Sequence, residues 1–140
     1  MIALVRRASK GEHMPSGLLL SDDLLFASRI TGAARVHQLS VKPARSLEQL
    51  LELARSETPS CVLLDLAFPG LVLVDLFHRL GEVCCPLPRV VAYGSHVDVD
   101  GLRAARAAGC EVVLPRSKFV EELPRALPQW FSDKPPGGNS

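Results

Sequence analysis

The sequence predicts an α/β domain: a five-stranded, mostly parallel sheet wound on both sides by helices, giving three layers. Three observations predict it. Short apolar runs of strand length alternate along the chain with stretches of helical periodicity. The cleanest run, Cys61-Val62-Leu63-Leu64, is apolar throughout, as a strand covered on both faces must be. The segments between successive runs are too long for hairpins, so right-handed crossovers bring each strand back parallel to the last.

Taken in order, residues 1–16 mix polar and charged side chains with Gly11, Pro15 and Ser16 and hold no sustained period. They read as an extension ahead of a domain spanning 17–131, with Met14 an alternative start. Leu18 to Ser21 is the first strand and runs into Asp22 and Asp23. Leu24 to Ala33 suits a helix, with Gly32 near its end. Val36 to Val41 reads as the second strand, broken by Pro43. Ser46 is an N-cap with Gln49 three residues on, and Leu47, Leu50, Leu51 and Ala54 form the apolar stripe of a helix that stops near Ser56.

Cys61 to Leu64 follows, ending in Asp65 before the loop Leu66 to Gly70, and then a helix over Val72 to Val83. Arg89 to Tyr93 is the fourth strand. Leu102, Ala105, Arg106 and Ala108 sit on a helix closed by Gly109. Glu111 to Leu114 is the fifth strand, and Ser117 is the expected cap of a last helix through about Leu127, with Pro124 inside it. Trp130 and Phe131, just beyond, either close the core or anchor another chain. Residues 132–140, rich in Pro and Gly, read as a flexible tail.

Composition narrows the function. With 140 residues the chain is one domain long, and 47% hydrophobic against 22% charged residues is enough to bury a core. A formal net charge of +1 gives no reason to expect nucleic-acid or anionic-membrane binding. No apolar run approaches the ~20 residues of a membrane span, and no export signal is evident, so a cytoplasmic protein is expected. Cys61, Cys84, Cys85 and Cys110 show no metal-ligand spacing and read as incidental thiols in a reducing compartment.

In an open parallel sheet, chemistry collects beyond the carboxyl ends of the strands. Here those positions hold Asp22 and Asp23, Asp65, Tyr93 with Gly94-Ser95-His96, and Arg116. The runs Leu18 to Asp23, Val62 to Gly70 and Ala107 to Arg116 together resemble the receiver domain of bacterial response regulators, a flavodoxin-like (βα)5 fold, over roughly residues 17–128. That resemblance implies an acidic pair, Asp22 and Asp23, and a phosphoacceptor, Asp65, which would hold Mg²⁺ between them if the site is active; otherwise no cofactor is expected. Two positions depart from the pattern. Tyr93 stands where the resemblance implies a Ser or Thr, and Arg116-Ser117 stands for Lys-Pro. The position three before the basic residue, an aromatic in that family, is Val113. Asp23 to Ile30, Gly94 to Asp98 and Leu114 to Phe119 are similar to degenerate receivers.

Arg carries a planar fork suited to gripping a carboxylate with both prongs, so an Arg116 pair with Asp65 would occupy the site with a built-in cation. The expected function is a stand-alone signalling module, not an enzyme, that binds a protein partner through its fourth helix, fifth strand and fifth helix. A second copy of the chain is an alternative partner. One alternative function is a phosphorylatable single-domain regulator, with Asp65 as acceptor and Ser95 reaching in to supply the missing hydroxyl. Another is a small flavodoxin-like ligand- or nucleotide-binding protein, against which stands the lack of a Gly-rich phosphate loop or nucleophile elbow. For Asp23 the bland role of helix cap is the competing reading, and for His96 that of a solvated loop residue.

Overall fold

The computed structural model describes residues 15–132. Strands β1 (Ser16–Leu20), β2 (Ser40–Ala44), β3 (Cys61–Asp65), β4 (Arg89–Gly94) and β5 (Val112–Pro115) alternate with helices α1 (Leu24–Val36), α2 (Leu47–Glu57), α3 (Leu73–Val83), α4 (Val99–Ala108) and α5 (Arg116–Trp130). All neighbours in the sheet are parallel, in the order β2-β1-β3-β4-β5. Because strand side chains alternate, the central strands feed two cores. Leu18, Leu20, Val62, Leu64, Val90 and Ala92 pack beneath α2, α3 and α4. Leu19, Leu63, Val91 and Tyr93 pack beneath α1 and α5. β3, at the centre, is buried along its whole length, which is why its sequence shows no alternation.

The expected elements are present, with three local corrections. Val36 is helical rather than the start of a strand. The turn His37-Gln38-Leu39 closes α1 onto the carbonyls of Ala34 and Arg35, with Gln38 at φ 59°, and β2 begins only at Ser40. Pro43 does not end β2 but lies inside it, opposite Leu19. The Ala44 carbonyl points inward to accept from Ser21 N, so the neighbouring Pro43 nitrogen faces the unpaired edge, where a missing N–H breaks no ladder bond. Ser117 is not the cap of α5, which starts at Arg116 after Pro115, whose extended backbone sets the start without a side-chain bond.

α5 runs through both Pro124 and Pro128. Pro128 has no N–H to offer the Pro124 carbonyl four residues back, and His37 Nε2 donates to that oxygen instead, tying the end of α1 to α5. Ser46 accepts from Gln49 N as expected, while the Gln49 side chain accepts from Arg45 N, a reciprocal cap at α2. Trp130 and Phe131 close the core: they are 7% and 1% exposed. Arg89 fastens the same end by donating to the Gln129 and Trp130 carbonyls and to Glu111. Cys61, Cys84 and Cys110 are buried thiols whose pKa burial raises, that of Cys110 to about 11, while Cys85 is exposed. Among the described residues no helix is long and apolar enough to cross a membrane. Residues 1–14 and 133–140, which hold most of the expected extension and tail, lie outside the described residues.

Gly17 tests this packing. A Cβ there would fall well inside contact distance of the Phe131 ring and 3.1 Å from the Cys61 carbonyl oxygen. Gly17→Ala is expected to destabilise the fold by about 1–3 kcal/mol, as overpacked cores do, measured by urea unfolding. Phe131→Leu in the same chain should recover part of that loss.

Candidate functional site

Beyond the carboxyl ends of β1, β3, β4 and β5 the sheet carries a polar cluster on an aromatic floor. Its centre is Asp65, the last residue of β3, only 4% exposed. A carboxylate that deep must be satisfied by donors close at hand. Ser21 Oγ donates to Asp65 Oδ2 at 2.9 Å, and Ala67 N donates to Oδ1 at 2.9 Å. Ser21, 2% exposed, also accepts from Asp23 N at 3.1 Å and so joins the ends of β1 and β3. Nothing in the strand pattern marked Ser21 as more than the end of an apolar run. Its place between the last buried leucine and an acidic pair is the signal that could have found it.

Arg116 comes in from the first position of α5. Its guanidinium carbon lies 4.2 Å from the centroid of the Phe26 ring and 5.7 Å from that of Tyr93. The nitrogens reach Asp23 Oδ2 at 3.5 Å and Asp65 Oδ2 at 3.9 Å. The expected two-pronged grip on Asp65 is therefore not formed. The fork is divided between two carboxylates, donating to Asp23 Oδ2 at the long end of hydrogen-bond range, and its plane lies over the Phe26 face. Phe26 was invisible to sequence reasoning as a site residue because it looks like one more apolar position of α1.

The acidic pair is also divided. Asp23 caps α1, its Oδ1 accepting from Phe26 N at 3.0 Å, and that bond, followed by the Arg116 guanidinium, outweighs partial burial and holds its carboxyl below the ordinary value of 3.8. Asp22 is exposed. Among the described residues no group of three or more Asp, Glu, His or Cys side chains gathers around one point. Of the three residues expected to hold Mg²⁺ in an active site, Asp22 faces solvent, Asp23 caps a helix and Asp65 is bonded at both oxygens.

The end of β4 supplies no small hydroxyl. Tyr93 is fully buried, its ring 5.1 Å from that of Phe26 and 4.5 Å from that of Phe119, which in turn stacks on Trp130 at 5.6 Å. Among the described residues its enclosed hydroxyl makes no hydrogen bond of normal geometry, and burial, with the Asp65 charge behind it, raises its pKa, an effect that the nearby Ser21 hydroxyl only partly offsets. Gly94 has no side chain, and the space one would take is closed by Leu66, whose atoms lie 3.2–3.3 Å from where a Cβ would stand. Ser95 is exposed and turned to its own loop, accepting from Val97 N, so it does not reach Asp65 as one expectation had it. His96 is exposed and outside the cluster. A cleft of about 460 Å³ does open on the protein, but at the opposite end of the sheet, among Thr58, Cys85, Leu87, Arg89 and Glu111.

The depressed Asp23 carboxyl has a pH consequence. A group whose folded pKa lies below its unfolded value contributes stability that is complete above the unfolded value and disappears as pH falls through the folded one. The Asp23 contribution is therefore present above about pH 4 and lost below it. Asp23→Asn should flatten the acid limb of a thermal-stability profile below pH 4, and Arg116→Met, which keeps the contact with Phe26 but removes the charge, should move that limb to higher pH.

No family model matches the chain, and no curated protein does. Solved structures are similar over most of its length. A response regulator from Thermotoga maritima matches at 17% identity and a TM-score of 0.71, covering 84% of this chain and 98% of that one. The response regulator receiver protein from Burkholderia phymatum matches at 21% identity and 0.68, covering 84% and 94%. A chain in the Saccharomyces cerevisiae co-crystal of the histidine phosphotransfer protein Ypd1 with the receiver domain of its downstream response regulator Ssk1 matches at 15% and 0.70, covering 85% and 90%. At these identities what is shared is the architecture, and by strand order, crossovers and extent this chain has the receiver-domain fold of response regulators.

Proposed function

We propose that the chain is a receiver-like signalling module in the cytoplasm that acts by binding a protein partner, with phosphoryl transfer to Asp65 impaired or lost. The observation that carries this is Arg116 lying over Phe26 between Asp23 and Asp65. A phosphoryl group bonds to one carboxylate oxygen of Asp65, so it would have to displace the hydrogen bond from Ser21 or the one from Ala67, and it would need a compact cation and a small hydroxyl close by. In their place stand a guanidinium already shared by two carboxylates, a buried phenol and a glycine closed off by Leu66. Arg does not substitute simply for a Lys point charge, because its planar fork is held by the ring beneath it.

Protein binding is supported by the neighbour from Saccharomyces cerevisiae, a co-crystal of a receiver domain with a phosphotransfer protein. The net charge of +1 argues against nucleic acid as the partner. A nucleotide-binding reading finds no support at the Asp65 rim, where the strand ends present carboxylates that repel phosphate oxygens.

Incubation with acetyl phosphate and Mg²⁺, followed by intact-mass measurement, is expected to leave the protein unmodified under conditions that label an active receiver. A phosphoryl adduct that vanishes in Asp65→Asn would overturn the proposal and favour the phosphorylatable regulator.

A further inference from the structure

The cleft of about 460 Å³ lies at the amino ends of the strands, away from the Asp65 cluster, and its volume is that of a small-molecule site, which runs to roughly 300–1,000 Å³. Its place follows from the fold. Helices that cross back over a parallel sheet run against the strands, so helices end where strands begin. Thr58, Cys84 and Gly109, all in the lining of the cleft, are the C-caps of α2, α3 and α4. Each of those ends presents carbonyls beyond the reach of helical partners and carries about half a negative charge. Pro59, Leu87 and Pro88 add an apolar lining.

Two charged side chains line the cleft, Arg89 and Glu111, and they are not equally available. The Arg89 side chain is 13% exposed. Its Nε donates to Glu111 Oε2 at 3.0 Å and its Nη1 to the carbonyls of Gln129 and Trp130, so its charge is engaged by Glu111 and by the end of a fourth helix, α5. The Glu111 side chain is 43% exposed, and among the described residues its Oε1 stands outside the pair with Arg89. Other cations near these helix ends do not line the cleft. Lys42 pairs with Glu57 at 2.7 Å, Arg106 in the last turn of α4 donates to the Val113 carbonyl, and Arg55 in the last turn of α2 is turned to solvent. α3 has no basic residue in its last turn. Three helix ends and a half-exposed carboxylate therefore meet at a cleft whose cation is already committed.

We infer that this cleft binds a small organic cation, a primary amine on an apolar body. The ammonium sits by Glu111 and the ends of α2, α3 and α4, and the body lies against Leu87 and the prolines. A carboxylate or phosphate ligand meets the same helix ends with like charge and is disfavoured. The site stands apart from the Asp65 cluster and does not depend on the state of that cluster.

The probe is 2-phenylethylamine, with 2-phenylethanol and 3-phenylpropionate as neutral and anionic controls of the same ring and similar length. Amide NMR shifts of the isotope-labelled full chain should follow the amine saturably and centre on Thr58, Leu87 and Glu111, with 2-phenylethanol binding about tenfold more weakly and 3-phenylpropionate leaving the spectrum unchanged. Glu111→Gln should lower the affinity for the amine about tenfold and leave that for 2-phenylethanol unchanged. Leu87→Ser should weaken both, and Glu121→Gln, which removes an exposed carboxylate elsewhere on α5, should change neither. Far-UV circular dichroism checks that each variant is folded; should Glu111→Gln not fold, the ranking of the three probes on the unaltered chain decides. No saturable shift with the amine, equal affinity for the amine and the carboxylate, or shifts centred on Asp65 would overturn the inference. A phosphoryl adduct on Asp65 bears on the impaired-site proposal alone.

Discussion

A carboxylate 4% exposed at the end of the central strand is the constraint around which this end of the molecule is arranged. An ionised group taken that far from water is tolerated only if its oxygens find donors and a cation stands near. Ser21 and Ala67 supply the donors, and they do so from two different loops, so the ends of β1 and β3 are stitched together through Asp65. Arg116 supplies the cation from a third element. Three adjacent parts of the fold thereby depend on one side chain.

Arg116 is itself held from below. Phe26 lies under its guanidinium, Tyr93 and Phe119 pack against Phe26, and Trp130 stacks on Phe119 near the far end of α5. This aromatic column lies between the sheet and the α1/α5 layer and connects the polar cluster to the end of the helix that Arg89 fastens. Replacing a flexible ammonium by a guanidinium on such a column trades a mobile point charge for a seated plane.

How much of this could be read in the sequence follows from where the determining contacts come from. β3 was legible because burial on both faces leaves a continuous apolar run, and Ser46 and Gly109 were legible as helix ends because capping is local. β2 was misplaced because an edge strand is half-exposed and admits Pro43, so neither continuity nor alternation marks it. Asp65, Asp23 and Arg116 were legible as charged residues at strand ends, but not their geometry. The contact of Arg116 with Phe26 spans 90 positions, and the enclosure of Tyr93 depends on Phe119 from another element. Ser21 was hidden for the opposite reason: a small hydroxyl after an apolar run looks like punctuation until its partner 44 residues away is in view.

Pro43 has a consequence for how copies of this protein coexist. The outward row of backbone groups on β2 lacks a donor where proline sits, so an incoming strand would find a gap in the hydrogen-bonding ladder at mid-length. A parallel sheet left open at its rim is a template for fusion with its neighbours, and a ring nitrogen without hydrogen is among the cheapest deterrents available to it. The same residue that obscured the strand in the sequence keeps that border of the sheet from being extended.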